Sequence, residues 1–188
     1  MSGILKVGGS ELVNDNGGSG ALQWGSGVPA NTIIRVTSLT RSSTDSHTSS
    51  TPKEINGLTH TISNPKSGSK FLLTGVINLS YDNLAAKGGM FITRTDADGE
   101  VTIANGDANG IRSRVTNYIY LNTENYSPFP FPFNFLDSPN TTSSVVYKFK
   151  FSSLDNMGTI YVNRADSWSD DATHATTIST TTVFEVAQ

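Results

Sequence analysis

Apolar and polar positions alternate along much of the chain, and the alternation is strictest from Pro128 to Phe151. Phe129, Phe131, Phe133 and Phe135 alternate with Pro130, Pro132 and Asn134, while Val145, Tyr147, Phe149 and Phe151 alternate with Val146, Lys148 and Lys150. A period of two puts each aromatic set on one face of a strand. Between them, Leu136-Asp137-Ser138-Pro139-Asn140 supplies turn chemistry. Pro128, Pro130 and Pro132 share one parity, so their missing N–H groups fall on one flank, which a central strand does not tolerate and an edge strand does. The pattern predicts an edge strand whose phenylalanine face, Phe129, Phe131, Phe133 and Phe135, meets a neighbouring subunit.

The same criterion predicts strands over Thr32–Thr40, Ile55–Ser63, Lys70–Tyr81, Gly89–Thr95, Glu100–Ala104, Val115–Leu121, Gly158–Asn163 and Thr176–Val186. Lys70–Tyr81 is the longest apolar stretch and is placed at the centre. Asp96-Ala97-Asp98-Gly99 marks a hairpin. No segment carries a sustained helical period; Asp82–Lys87 has room for one turn. About nine or ten short strands at this spacing predict an all-β fold, a jelly-roll-like antiparallel β-sandwich over residues 31–188.

Residues 1–30 differ. Short apolar groups at Ile4, Leu5 and Val7 and at Leu12 and Val13 precede a glycine-rich run, Asn14 to Gly20, followed by Leu22, Trp24 and Val28. Sticky residues spaced along a flexible segment suit an extended attachment arm, with Ile4, Leu5, Val7, Leu12, Val13, Leu22 and Trp24 as its contacts. Gly25-Ser26-Gly27-Val28-Pro29-Ala30 has the letters of a dinucleotide fingerprint, but no strand precedes it and no helix follows, so a turn is expected.

Composition narrows the function classes. The 188 residues carry a net charge of −3 without a basic run, which argues against nucleic acid as a partner. No run approaches the roughly 20 apolar residues of a membrane span, so no membrane insertion is expected. Met1 to Pro29 shows no charged start followed by an apolar run, so no secretory signal is read. The chain has no cysteine, which removes disulfides and thiolate metal sites.

Candidate chemistry is sparse. Asp96, Asp98, Glu100 and Asp107 suggest calcium, yet the glycine falls at the fourth position of the loop instead of the sixth, and a β-turn is expected. His47, His60 and His174 lack metal-ligand spacing. Trp168 with Asp170, Asp171 and His174 forms a polar loop suited to a surface carbohydrate, and Asp166, Asp171 and His174 are the weaker set for a hydrolase. Tyr118, Tyr120 and Tyr126 are a further possible sugar platform, set below Trp168 because strand aromatics mainly pack inside. No cofactor, metal or catalytic residue is assigned.

The run Leu136-Asp137-Ser138-Pro139-Asn140-Thr141-Thr142-Ser143-Ser144-Val145-Val146-Tyr147-Lys148 resembles the "LDSP-x-T-T-S…YK" signature of a family of tailed-phage virion proteins seen in cyanophages and other aquatic phages. Ile34-Arg35-Val36, Ser67 to Leu73, Tyr161-Val162-Asn163-Arg164 and the ending Thr182 to Ala187 are similar to further stretches of that family, so the resemblance covers about residues 29–188. The proline–phenylalanine repeat departs from the family pattern. The resemblance implies a jelly-roll-like domain, usually trimeric, displayed on a virion assembled in the host cytoplasm. With the arm, it leads to the expectation of a non-enzymatic capsid decoration or cement protein whose partners are itself, as a homotrimer, and the major capsid protein or another virion component. The alternative is a fibre tip that recognises a host-surface carbohydrate.

Overall fold

The computed structural model describes residues 4–7, 9–14, 23–25, 27–82, 86–120, 127–165, 172 and 174–188. In chain order the strands are β1 (Ile4–Val7), β2 (Ser10–Asn14), β3 (Gln23–Trp24), β4 (Ile33–Arg41), β5 (Asp45–His47), β6 (Lys53–Glu54), β7 (His60–Ile62) and β8 (Lys70–Tyr81). They continue with β9 (Gly88–Asp96), β10 (Gly99–Ile103), β11 (Asn117–Ile119), β12 (Phe129–Asp137), β13 (Val145–Ser153), β14 (Ile160–Val162) and β15 (Ser179–Val186). No helix occurs among the described residues.

Registers fix the layout. Leu72 pairs with both Leu136 of β12 and Phe184 of β15, so these two strands flank β8 on opposite sides. Leu79 pairs with both Phe129 and Val162, which places β14 on the β15 side, in line with it. The first sheet therefore reads β4–β15–β8–β12, with β5 and β14 extending β4 and β15. In the second sheet, Met90 pairs with Asn117 and Phe151, and Ile92 with Ile103 and Phe149. Its order is β10/β11–β9–β13–β6/β7, and every pairing in both sheets is antiparallel. Two sheets of four positions, between which the chain crosses repeatedly, make a double-sheet jelly roll, as the alternation predicts.

The core lies between the sheets. Phe71, Leu73, Ile77, Leu79 and Tyr81 of β8 face Val145, Tyr147, Phe149 and Phe151 of β13 and Met90 and Ile92 of β9, all completely covered. Gly75 interrupts the apolar face of β8 for a packing reason. A Cβ there would lie 2.8 Å from Phe133 Cζ and 2.3 Å from the Thr180 carbonyl oxygen, so the Phe133 ring occupies the space a side chain would need. That ring sits 5.0 Å from Phe149.

β12 is an edge strand, as its prolines require. In an antiparallel ladder, hydrogen-bonded and non-bonded pairs alternate, so Pro130 and Pro132 keep the ladder intact only by taking the non-bonded positions opposite Asn78 and Val76. Both prolines are exposed. The Asn117 side-chain amide donates to the Pro132 carbonyl at 2.9 Å, tying this edge to the other sheet.

Two sequence expectations change. The N-terminal segment, read from the sequence as an extended attachment arm, carries a three-stranded antiparallel sheet, β1–β2–β3. The stretch Ile55–Ser63 is not one strand: Ile55 to Thr59 makes a turn between β6 and β7, with Gly57 at φ 88°.

Candidate functional site

The jelly roll has two distinct poles, set by the direction of β8, whose twelve residues span roughly 40 Å. At the first pole lie the start of β4 and the end of the chain. Asn31 N–H donates to the Ala187 carbonyl at 2.7 Å, and Ala187 N–H to Thr32 at 2.9 Å. Glu185, fully buried, accepts from the Lys66 amide at 2.7 Å and lies 3.3 Å from Arg35 Nε, while Arg35 Nη1 donates to the Ser63 carbonyl at 2.7 Å. These contacts clamp the β7–β8 connection, the domain entry and the C-terminus together.

The N-terminal sheet sits at this pole. Leu5 and Val13 are direct cross-strand partners and, with Val28, Pro29, Thr32, Ile33 and Ile34, line an apolar cleft of about 320 Å³. Leu5 remains 59 % exposed. Of the other expected arm contacts, Ile4 and Val7 lie on β1, Leu12 on β2 and Trp24 on β3; Leu22 lies outside the described residues.

The phenylalanine face points inward. Phe133, only 8 % exposed, belongs to the core, Phe131 packs against it, and Phe129 and Phe135 are half-buried. The chain's own interior thus takes up Phe133, and the outward surface of the same sheet carries a different apolar feature. Val36, Phe184, Leu72 and Leu136 are successive cross-strand partners, forming one row across all four strands. Its ends, Val36 and Leu136, are 54 % and 51 % exposed. Ser38, Thr182, Thr74 and Asn134 form the polar row beside it.

The acidic candidates near residue 100 are tied into pairs. Asp96 accepts from Arg94 Nε at 2.9 Å and from the Asp98 amide at 3.0 Å, and Glu100 is the ion-pair partner of Lys150. Asp98 and Asp107 are exposed. No group of three or more acidic or histidine residues suited to a metal occurs among the described residues. In the loop between β14 and β15, Asp166, Trp168, Asp170 and Asp171 lie outside the described residues, and His174 is half-buried.

His47 Nε2 donates to the Thr51 carbonyl at 2.7 Å. His60 is buried between the sheets, with Nδ1 2.8 Å from Thr37 Oγ1 and Nε2 2.7 Å from Thr181 Oγ1. Burial pushes its pKa down to about 4. The folded protein therefore holds His60 neutral while an unfolded chain takes up a proton near pH 6.5, so stability is complete above 6.5 and falls as pH drops toward 4. The expected loss is about 2 kcal/mol by pH 5. Urea midpoints of wild type and His60→Gln between pH 7 and 5 measure it; a slope retained in the variant assigns the effect elsewhere.

At the second pole, one pair of residues departs from sequence reasoning. Tyr118 and Tyr120, expected to pack inside, are 51 % and 47 % exposed, with ring centroids 6.3 Å apart and planes 23° apart. Ile119 between them is completely buried. Beside Tyr118 opens a cleft of about 490 Å³ lined also by Lys87, Arg112, Ser113 and Asp155.

Neither a family model nor a curated protein matches the chain. Among solved structures, it is similar to the VP2 subviral particle of infectious bursal disease virus, with 14 % identity over 81 % of this chain and 41 % of that one and a TM-score of 0.36. It is also similar to the Gx strain structure of the same virus, with 13 % identity over 96 % of this chain and 48 % of that one and a TM-score of 0.42. The chain spans less than half the length of either. Likeness at this level carries no argument about function, and the jelly-roll assignment rests on the strand order.

Proposed function

We propose that this chain is a non-enzymatic structural protein of a phage virion, a capsid decoration protein that docks through residues 1–30 and displays a trimeric jelly roll. The observation that carries the reading is the separation of the poles: the small apolar sheet β1–β3 stands at the end where the jelly roll begins and finishes, roughly 40 Å from the end that carries Tyr118 and Tyr120. A particle-bound base and an outward tip need that division. The run from Leu136 to Lys148 supports it through the family resemblance, and two of its residues have a structural tie, a hydrogen bond of 2.8 Å from the Tyr147 hydroxyl to Asp137. Deleting residues 1–24 should leave a folded domain that no longer binds particles stripped of this protein; binding at wild-type level by the deletion refutes the docking role.

Self-association covers the outer apolar row. An exposed stripe crossing four strands suits contact with other copies, and the edge prolines limit open-ended strand pairing. The double variant Val36→Glu/Leu136→Glu should run as a monomer by light scattering, with an unfolding free energy within about 1 kcal/mol of an isolated wild-type subunit. A variant that stays trimeric places the contact elsewhere.

A second reading, a fibre tip that binds a host-surface carbohydrate, is favoured by the exposed tyrosine pair. Quantitative mass spectrometry of purified virions separates the two: a fixed high ratio to the shell subunit means decoration, and a small copy number means a tip.

A further inference from the structure

We infer that Tyr118, Tyr120 and the adjoining cleft form a saccharide-binding site that prefers glycans bearing a carboxylate. The inference holds wherever on a particle the protein is mounted.

The first observation is the orientation of β11. Among the described residues it pairs with β9 alone, through Asn117, Tyr118 and Ile119, which puts it at a sheet edge. Tyr118 on this strand and Tyr120 just after it turn outward, each ring half in water and nearly parallel to the other. A tyrosine presents a rigid apolar face and a polar tip, the combination that takes the C–H face of a sugar ring while leaving its hydroxyls free. Two such faces left in water mark a surface that gains by being covered.

The second observation is the chemistry beside Tyr118. The cleft, about 490 Å³, is of ligand-pocket size and brings together groups from the β8–β9 connection, the excursion between β10 and β11, and the turn after β13. Arg112 Nη1 donates to Asn109 Oδ1 at 2.9 Å but has no carboxylate partner among the described residues. Lys87 Nζ stands 3.8 Å from Asp155 Oδ2, too far for a hydrogen bond, and that oxygen accepts none. Ser113 adds a hydroxyl. The cleft therefore offers a guanidinium, an ammonium, a carboxylate and a hydroxyl next to an aromatic face. These suit a polyhydroxylated ring that stacks on Tyr118. With Lys87 balanced by Asp155, the remaining charge is that of Arg112, whose planar fork matches a carboxylate on the sugar.

The test is a printed array of neutral and carboxylate-bearing oligosaccharides probed with the full chain, followed by titration calorimetry with the best binder. Tyr118→Ala and Arg112→Ala alter exposed side chains, so their thermal unfolding should match wild type and confirm an intact fold. The expected result is binding that Tyr118→Ala weakens at least tenfold. Arg112→Ala should weaken carboxylate-bearing glycans more than neutral ones, and Trp168→Ala should change neither. Three results overturn the inference: no glycan bound, binding unchanged in Tyr118→Ala, or binding that depends on Trp168 and not on Tyr118. Loss of particle attachment in Tyr118→Ala without glycan binding would instead make the tyrosines a protein contact.

Discussion

Replacing Asp137 with alanine lowers the unfolding free energy by about 3 kcal/mol, the cost of taking one of two carboxylates from Arg94 and the acceptor from the buried Tyr147 hydroxyl. Asp137, at the end of β12, accepts from Arg94 Nη1 at 2.9 and 3.1 Å and from the Tyr147 hydroxyl at 2.8 Å, while Arg94 Nε reaches Asp96 at 2.9 Å. β12 belongs to one sheet and β9 and β13 to the other, so this carboxylate joins the layers at the first pole. Burial raises the Tyr147 pKa, and the Asp137 charge raises it further, so the hydroxyl stays protonated and remains a donor. For Arg94, burial opposes the charge, but Asp137 and Asp96 outweigh it and its pKa is raised. Without Asp137, the guanidinium keeps one partner and the buried hydroxyl none. Urea unfolding of Asp137→Ala and Tyr147→Phe measures the two parts; the second should cost only about 1 kcal/mol, since the donor leaves with its bond. A loss below 1 kcal/mol in Asp137→Ala would show that solvent replaces the carboxylate.

This network was not legible in the sequence. Asp96 stands two residues from Arg94 on β9, but Asp137 reads as part of a turn, and only the registers of β12 on β8 and β13 on β9 bring it and Tyr147 to that arginine. The strands themselves were legible wherever the period of two ran long. Lys70–Tyr81 is β8 at both ends, and the phenylalanine strand is an edge for the reason its prolines give. The N-terminal hairpin was missed because its alternation covers only Ile4 to Val7 and Ser10 to Asn14, beside a glycine-rich run that reads as linker.

The tyrosine pair shows where periodicity stops. Alternation puts Tyr118 and Tyr120 on one face and Ile119 on the other, but it does not say which face is inside. The glycines opposite decide. Ile119 pairs with Gly88, and a Cβ on Gly88 would lie 2.9 Å from Ile119 Cδ1 and from Ile160 Cδ1. The space that Gly88 leaves is filled by isoleucine, which sends both tyrosines outward. Phe133, expected at a subunit contact, is drawn inside by similar logic, because Gly75 on the adjacent strand makes room for that ring.

Asn163→Ala is expected to cost about 4 kcal/mol, for reasons that combine backbone and side chain. Asn163 is completely buried and has φ 59°, a left-handed conformation that asparagine tolerates better than alanine. Its Nδ2 donates to the carbonyls of Arg41 at 2.9 Å and Ser43 at 3.2 Å, and its Oδ1 accepts from Ser179 Oγ at 2.6 Å. Its backbone bonds Asn78 and Thr177, both at 2.9 Å. One residue therefore holds the end of β4, the end of β8 and the start of β15 at the second pole. Alanine removes three hydrogen bonds, leaving the Ser43 carbonyl only its bond from Arg41 Nε and the Ser179 hydroxyl only its bond from the Asn78 amide, and adds about 1 kcal/mol of backbone strain. Asn163→Gly removes the same side chain without that strain, so it should be the milder variant by about 1 kcal/mol. Chemical unfolding of both separates the contributions: equal losses assign the whole effect to the hydrogen bonds. A small loss in both would mean that water reaches the Arg41 and Ser43 carbonyls, and that the pole does not depend on Asn163 for its shape.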